Sequence, residues 1–161
     1  MTFESDKEAS FAAALNRRHI LGLGAAGFTT LLLPGLSCAE EADVARIKKD
    51  LFGDRPINEG RVTVTLPPIA ENGNSVPFEV DVESPMTTGD YVRQIIVLSP
   101  RNPEALISRF EFSPKAGKAH VATRIRMAGS QGIEAVAEMS DGSLWTGSKQ
   151  TIVTLAACVI G

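Results

Sequence analysis

From Arg61 onward, apolar and polar residues alternate with a period of two. Val62, Val64 and Leu66 alternate with Thr63 and Thr65 until Pro67-Pro68 stops the run. Val76, Phe78, Val80 and Val82 then alternate with Glu79, Asp81 and Glu83. Such alternation predicts strands buried on one face only, the second with an acidic outer face. Asn72-Gly73-Asn74 supplies the turn between them. Tyr91 to Leu98 carries Ile95-Ile96-Val97-Leu98 in succession, which predicts a more central strand, and Ser99-Pro100 and Asn102-Pro103 end it.

Leu106, Phe110 and Phe112 mark a further strand; Val121, Ile125 and Met127 mark another, with Arg124 and Arg126 pointing the opposite way. Ile133, Ala135, Ala137 and Met139 lead into Ser140-Asp141-Gly142-Ser143, a hairpin turn. Leu144 to Thr146 and Thr151 to Leu155 form the last paired segments. Ahead of these strands the period is helical. Val44, Ile47 and Leu51 recur on one face of Glu40 to Phe52, acidic residues open the segment, and Gly53 stops it. About seven strands, with turn chemistry every ~8–15 residues, predict an all-β chain. The expected fold is an immunoglobulin-like antiparallel β-sandwich with a short N-terminal helix and a C-terminal arm bearing a cysteine.

Residues 1–39 have a different pattern. Asn16-Arg17-Arg18-His19 precedes a stretch from Ile20 to Leu33 that is apolar apart from glycines and Thr29-Thr30, and Pro34, Gly35, Ser37 and Ala39 close it. A basic pair, a short and weakly greasy apolar run and a small-residue end describe an export signal. The run falls short of the roughly 20 residues that a membrane-spanning helix needs. The paired arginines resemble the twin-arginine type, which implies a periplasmic product. Cleavage after Ala39 fits best; lipid attachment at Cys38 and an N-terminal anchoring helix are the alternatives. The chain accordingly divides into a signal peptide at 1–39, a sandwich domain at 40–155 and an arm at 156–161.

The net charge of −3 over 161 residues argues against a nucleic-acid-binding protein, which usually shows a basic face. Two cysteines and two histidines, at 38, 158, 19 and 120, fit no zinc finger and no disulfide-dense scaffold. No G-x-S-x-G, P-loop or dinucleotide fingerprint is present. His120 reads as a surface residue at the start of a strand. Arg124 and Arg126 form an anion-binding pair or, more simply, are bridged to acids such as Glu134 and Glu138 on the adjoining run. Met86, Met127 and Met139 are scattered and read as packing residues.

Export would leave Cys158 as the single cysteine of the mature chain. A solitary cysteine in an oxidising compartment pairs between chains or serves as a reactive thiol. Cys158 sits in Leu155-Ala156-Ala157-Cys158-Val159-Ile160-Gly161, just after the last predicted strand. Extended at about 3.3–3.6 Å per residue, the tail would carry the sulfur roughly 10 Å past the sheet. Continuation of the strand through Ala157, Cys158 and Val159 would bury the thiol instead, and spacing alone supports both readings equally. A thiol at its ordinary pKa of about 8.5 is only about 3% thiolate at pH 7. An exposed Cys158 therefore suits a carrier activated by its partners. The other readings are an interaction module held by an interchain disulfide and soft-metal binding with His120 or a methionine.

Several runs together resemble one family. Ile69-Ala70-Glu71-Asn72-Gly73-Asn74-Ser75-Val76-Pro77, followed by Ser84-Pro85-Met86, is similar to the front half of the SoxY-type sulfur carriers of bacterial thiosulfate oxidation. Thr123-Arg124-Ile125-Arg126-Met127-Ala128, Val136-Ala137-Glu138-Met139-Ser140-Asp141-Gly142 and Thr151-Ile152-Val153-Thr154-Leu155 resemble the second half. The likeness spans roughly residues 45–158. It implies a non-catalytic carrier subunit without a cofactor of its own, paired with a SoxZ-type β-sandwich subunit in a heterodimer. It further implies sulfur held covalently on a cysteine near the C-terminus, which by position is Cys158. The implied partner enzymes are a haem-containing enzyme that couples thiosulfate to that sulfur and a manganese-dependent hydrolase that releases sulfate. In some systems a molybdenum–haem sulfane dehydrogenase is implied as well. The tip departs from the family's Gly-Gly-Cys-Gly-Gly pattern: Ala156 and Ala157 precede Cys158, and Val159, Ile160 and Gly161 follow it. Glycines would make a slim, freely turning arm, whereas β-branched Val159 and Ile160 add bulk and restrict the backbone.

Overall fold

A computed structural model describes residues 41–157, so the predicted export signal at 1–39 lies outside the described residues. The elements are α1 (Glu41–Phe52), β1 (Ile57–Glu59), β2 (Val62–Thr65), β3 (Ile69–Asn72), β4 (Val76–Val82), β5 (Val92–Leu98), β6 (Leu106–Glu111), β7 (Ala119–Ile125), β8 (Gln131–Met139) and β9 (Leu144–Leu155). The larger sheet has the order β1-β9-β8-β5-β6, with β3 pairing along β9; the smaller has the order β2-β4-β7. The all-β sandwich with a short N-terminal helix is thus the observed architecture. Its two central ladders, β8–β9 and β5–β8, are antiparallel, as expected.

The alternation in the sequence becomes the inner core. Val76, Phe78 and Val80 of β4 are fully buried and face Ile95 and Val97 of β5 and Ile133, Ala135 and Ala137 of β8 in one cluster. The intervening acids Glu79 and Asp81 stay on the outer face of the small sheet. The continuous run in β5 has a different cause: the large sheet is covered on both sides. Ile96 and Leu98 point outward with Val136 and Leu144, and α1 lays Val44 and Phe52 over them. Burial of each such side chain contributes about 1.5–3 kcal/mol.

The helix ends where the sequence predicts. Gly53 adopts a φ of 65°, and its N–H donates to the Lys49 carbonyl at 2.8 Å, a glycine cap. Two ion pairs flank the helix on the sheet: Lys48 Nζ lies 2.6 Å from Glu134 Oε2, and the Arg55 guanidinium lies 2.9 Å from Glu138 Oε1. Glu138 is buried. Burial, the largest single influence, pushes its carboxyl up, but the hydrogen bonds from Arg55 and Gln94 and the charges of Arg55 and Arg93 together outweigh it, so its pKa is lowered.

Three expectations need correction. The described residues contain nine strands rather than about seven, because β1 (Ile-Asn-Glu) and β3 (Ile-Ala-Glu-Asn) are short strands whose residues do not alternate between apolar and polar. Both run parallel to β9. The last two paired segments are one strand of 12 residues, since polar Ser148, Lys149 and Gln150 between them pair in register with Glu134, Ile133 and Gly132 of β8. The Arg124/Arg126 pair does not bridge to Glu134 and Glu138. Those acids lie on β8, while β7 belongs to the other sheet and pairs with β4.

Candidate functional site

The final strand leads to the segment where the arm was expected. β3 runs beside the second half of β9, pairing Ile69 with Ile152, Ala70 with Val153 and Asn72 with Leu155. Thr154 Oγ1 adds a hydrogen bond to the Glu71 carbonyl at 2.9 Å. Past Leu155 the chain leaves the sheet, but it is not yet free. Ala156 is exposed, whereas Ala157 is buried and its N–H donates to the Met127 carbonyl at 3.0 Å. Cys158, Val159, Ile160 and Gly161 lie outside the described residues.

Three backbone hydrogen bonds form the anchorage. Gly73 N–H donates to the Leu155 carbonyl at 2.7 Å, Met127 N–H donates to the Gly73 carbonyl at 2.8 Å, and Ala157 N–H donates to the Met127 carbonyl. Gly73 is needed for this approach. A Cβ there would lie 2.4 Å from the Met127 oxygen and 2.7 Å from the Ala157 nitrogen. The turn expected at Asn72-Gly73-Asn74 therefore does more than reverse the chain. Asn72 Oδ1 shapes the turn by accepting from the Asn74 N–H at 2.9 Å, and Gly73 at its centre receives the end of the domain.

A second grip comes from the segment after β7. Ser130 Oγ accepts from the Val153 N–H at 2.9 Å, so residues 126–131 hold the C-terminal segment at both Val153 and Ala157. That segment is itself held from behind. Asn102 Nδ2 donates to the Arg126 carbonyl at 2.8 Å, and Asn102 Oδ1 accepts from the Ala128 N–H at 2.9 Å, spanning Met127. Gln131 and Ser99 complete the network, and all three side chains are buried.

The other candidates lie elsewhere. His120, on exposed β7, has Nδ1 at 3.2 Å from Asp81 Oδ2, with Lys118 Nζ at 2.6 Å from the same oxygen. Arg124 reaches only Ser75, and Arg126 contributes its carbonyl to Asn102. Met127 is wholly buried in the core, as its packing role requires. Among the described residues no group of three or more His, Cys, Asp or Glu gathers to hold a metal ion, and no helix is long and apolar enough to cross a membrane. Sequence reasoning placed Asn102 only in a turn before Pro103. Its partners at 126, 128 and 131 are too distant along the chain to give a local signal.

Comparison with known proteins joins these observations to a family. Residues 48–158 match the family model described as sulfur oxidation protein SoxY. No curated protein sequence matches the chain. Among solved structures, the sulfur carrier protein SoxY from Chlorobium limicola f thiosulfatophilum is 26% identical with a TM-score of 0.60, covering 72% of this chain and 100% of its own. The fold is shared more widely. A superoxide reductase (neelaredoxin) from Ignicoccus hospitalis is 19% identical at a TM-score of 0.52, covering 58% of this chain and 80% of its own. With the sandwich, the Gly73 turn and the strand leading to residue 158 all inside the matched span, the chain belongs to the SoxY family of sulfur oxidation proteins.

Proposed function

We propose that this protein is a periplasmic carrier, exported by the twin-arginine route, that holds thiosulfate-derived sulfur on Cys158 and presents it to sulfur-oxidising enzymes. The observation that carries the reading is the family match, which runs up to residue 158, the position of the cysteine. The anchorage supports it. The domain grips its own C-terminal segment as far as Ala157, the residue before Cys158 in the sequence.

Loading joins the Cys158 sulfur to the outer sulfur of thiosulfate. The thiol loses its proton, a sulfur–sulfur bond forms, and two electrons pass to a haem-containing partner. The product is a cysteine S-thiosulfonate. Water then attacks the terminal sulfonate sulfur on a manganese-dependent hydrolase, sulfate leaves, and a persulfide remains on the carrier. A sulfane dehydrogenase, where one is present, oxidises that remaining sulfur. The carrier supplies attachment and presentation in this scheme, and a SoxZ-type β-sandwich subunit completes it as a heterodimer.

The test is intact mass spectrometry of the mature chain after incubation with thiosulfate and the coupling enzyme. A gain of one thiosulfate unit, absent from Cys158→Ser, is expected. No adduct, or one that survives Cys158→Ser, overturns the proposal. A permanent disulfide-linked dimer on non-reducing gels, with no turnover, favours a static interaction module.

A further inference from the structure

We infer that Asn102 is a positioning residue for the carrier arm: through the segment at residues 126–131 it fixes the point from which Cys158 departs. The observations form one continuous path. Ser99 Oγ donates to Gln131 Oε1 at 2.6 Å and accepts from the Asn102 N–H at 3.3 Å. Gln131 Nε2 donates to Asn102 Oδ1 at 3.1 Å. Asn102 then clamps Arg126 and Ala128 on either side of Met127, and the Met127 carbonyl receives the Ala157 N–H. Ser130, on the same segment, holds Val153.

Two features make this a device for the arm as well as a stabilised loop. Every polar atom of the network is partnered within it, and its three side chains are at most 8% exposed, so it has one well-defined arrangement. Its outputs, the Met127 carbonyl and the Ser130 hydroxyl, both point to the last residues before Cys158. A segment that has left its sheet, as Ala156 and Ala157 have, is loose unless it is tied down. Here the ties to Val153 and Ala157 come from a segment whose own geometry depends on Asn102. Weakening Asn102 should therefore release the arm at Ala157 before the sandwich unfolds.

The importance of Cys158 rests on the carrier reading, but the test reads the arm's anchorage directly. In the mature chain, Asn102→Asp keeps the acceptor for Ala128 and Gln131 and replaces the donor to the Arg126 carbonyl with a repelling oxygen. Native-state hydrogen exchange at the Ala157 amide should rise about tenfold, as loss of one buried partner implies. The alkylation rate of Cys158 by a small maleimide should change with it. Val136→Ala, which opens a cavity on the other face of the large sheet, is the control for general destabilisation and should leave both readouts unchanged at 25 °C. Should Asn102→Asp fail to fold, Ser99→Ala removes only the hydroxyl behind the network and should move both readouts in the same direction. If Ala157 exchange and Cys158 alkylation in the folded variant match those of Val136→Ala, the inference is overturned. Failure of sulfur loading in wild type would overturn the carrier reading while leaving these two measurements intact.

Discussion

Gly73→Ala tests the anchorage at its tightest point. The added methyl would lie 2.4 Å from the Met127 oxygen, 2.7 Å from the Ala157 nitrogen and 3.1 Å from Val153 Cγ1. Something must shift, and the two sides are unequal. Met127 is wholly buried and its segment is clamped by Asn102, whereas Ala157 lies beyond the last strand and is held by one backbone bond. The C-terminal segment should therefore give way, losing the Gly73–Leu155 and Ala157–Met127 hydrogen bonds. At about 0.5–1.5 kcal/mol each, these set a cost of about 1–3 kcal/mol, within the range expected for overpacking. Gly132→Ala is the matched control. Its Cβ also meets an atom at 2.7 Å, but that atom is Nε2 of exposed Gln150, which can swing aside. It should cost less than about 0.5 kcal/mol. Urea unfolding of the two variants, with the Cys158 alkylation rate measured in the folded state, separates them. Equal stability losses, or a Gly73→Ala protein with wild-type stability and alkylation rate, would refute the argument from backbone crowding.

Two further outcomes follow from the core and the ion pairs. Gly147→Ala should cost about 3 kcal/mol or more by chemical denaturation, at the upper end of overpacking; its Cβ would lie 2.1 Å from the Val62 carbonyl oxygen, a backbone atom of the contact between β2 and β9 and not the end of a flexible side chain. The lowered pKa of Glu138 keeps it charged in the folded state below the ordinary value of 4.5. The stability this contributes is therefore present above the unfolded pKa and is lost as pH falls through the folded one. Unfolding midpoints from pH 6 downward should show an acid-side decline that is shallower in Glu138→Gln, and identical slopes would contradict that assignment.

The sequence carried the parts of the fold that repeat locally. Alternation in β4 and β8, the two-sided apolar run in β5 and the Gly53 stop of α1 each follow from burial or backbone geometry within a few residues. β3 was hidden because four residues of Ile-Ala-Glu-Asn have no period, and their strand character comes from pairing with β9. The middle of β9 was hidden because Ser148 to Gln150 are exposed and polar, and hydrogen bonding to β8 keeps them extended. Cys158 stood out as the single cysteine of the expected mature chain and by its position in the family resemblance. The Asn102 clamp and the role of Gly73 depend on contacts between distant segments, so no window of sequence contains them.

The length and neighbours of β9 also have a mechanical meaning. A pull on the chain beyond Leu155 acts along the axis of a strand bonded to β8 on one side and to β1 and β3 on the other. Those bonds lie across the direction of tension, so they are loaded together in shear instead of being peeled apart one by one. A strand rooted in this way resists such a load with all its rungs at once, so tension on it does not unravel the sheet behind it.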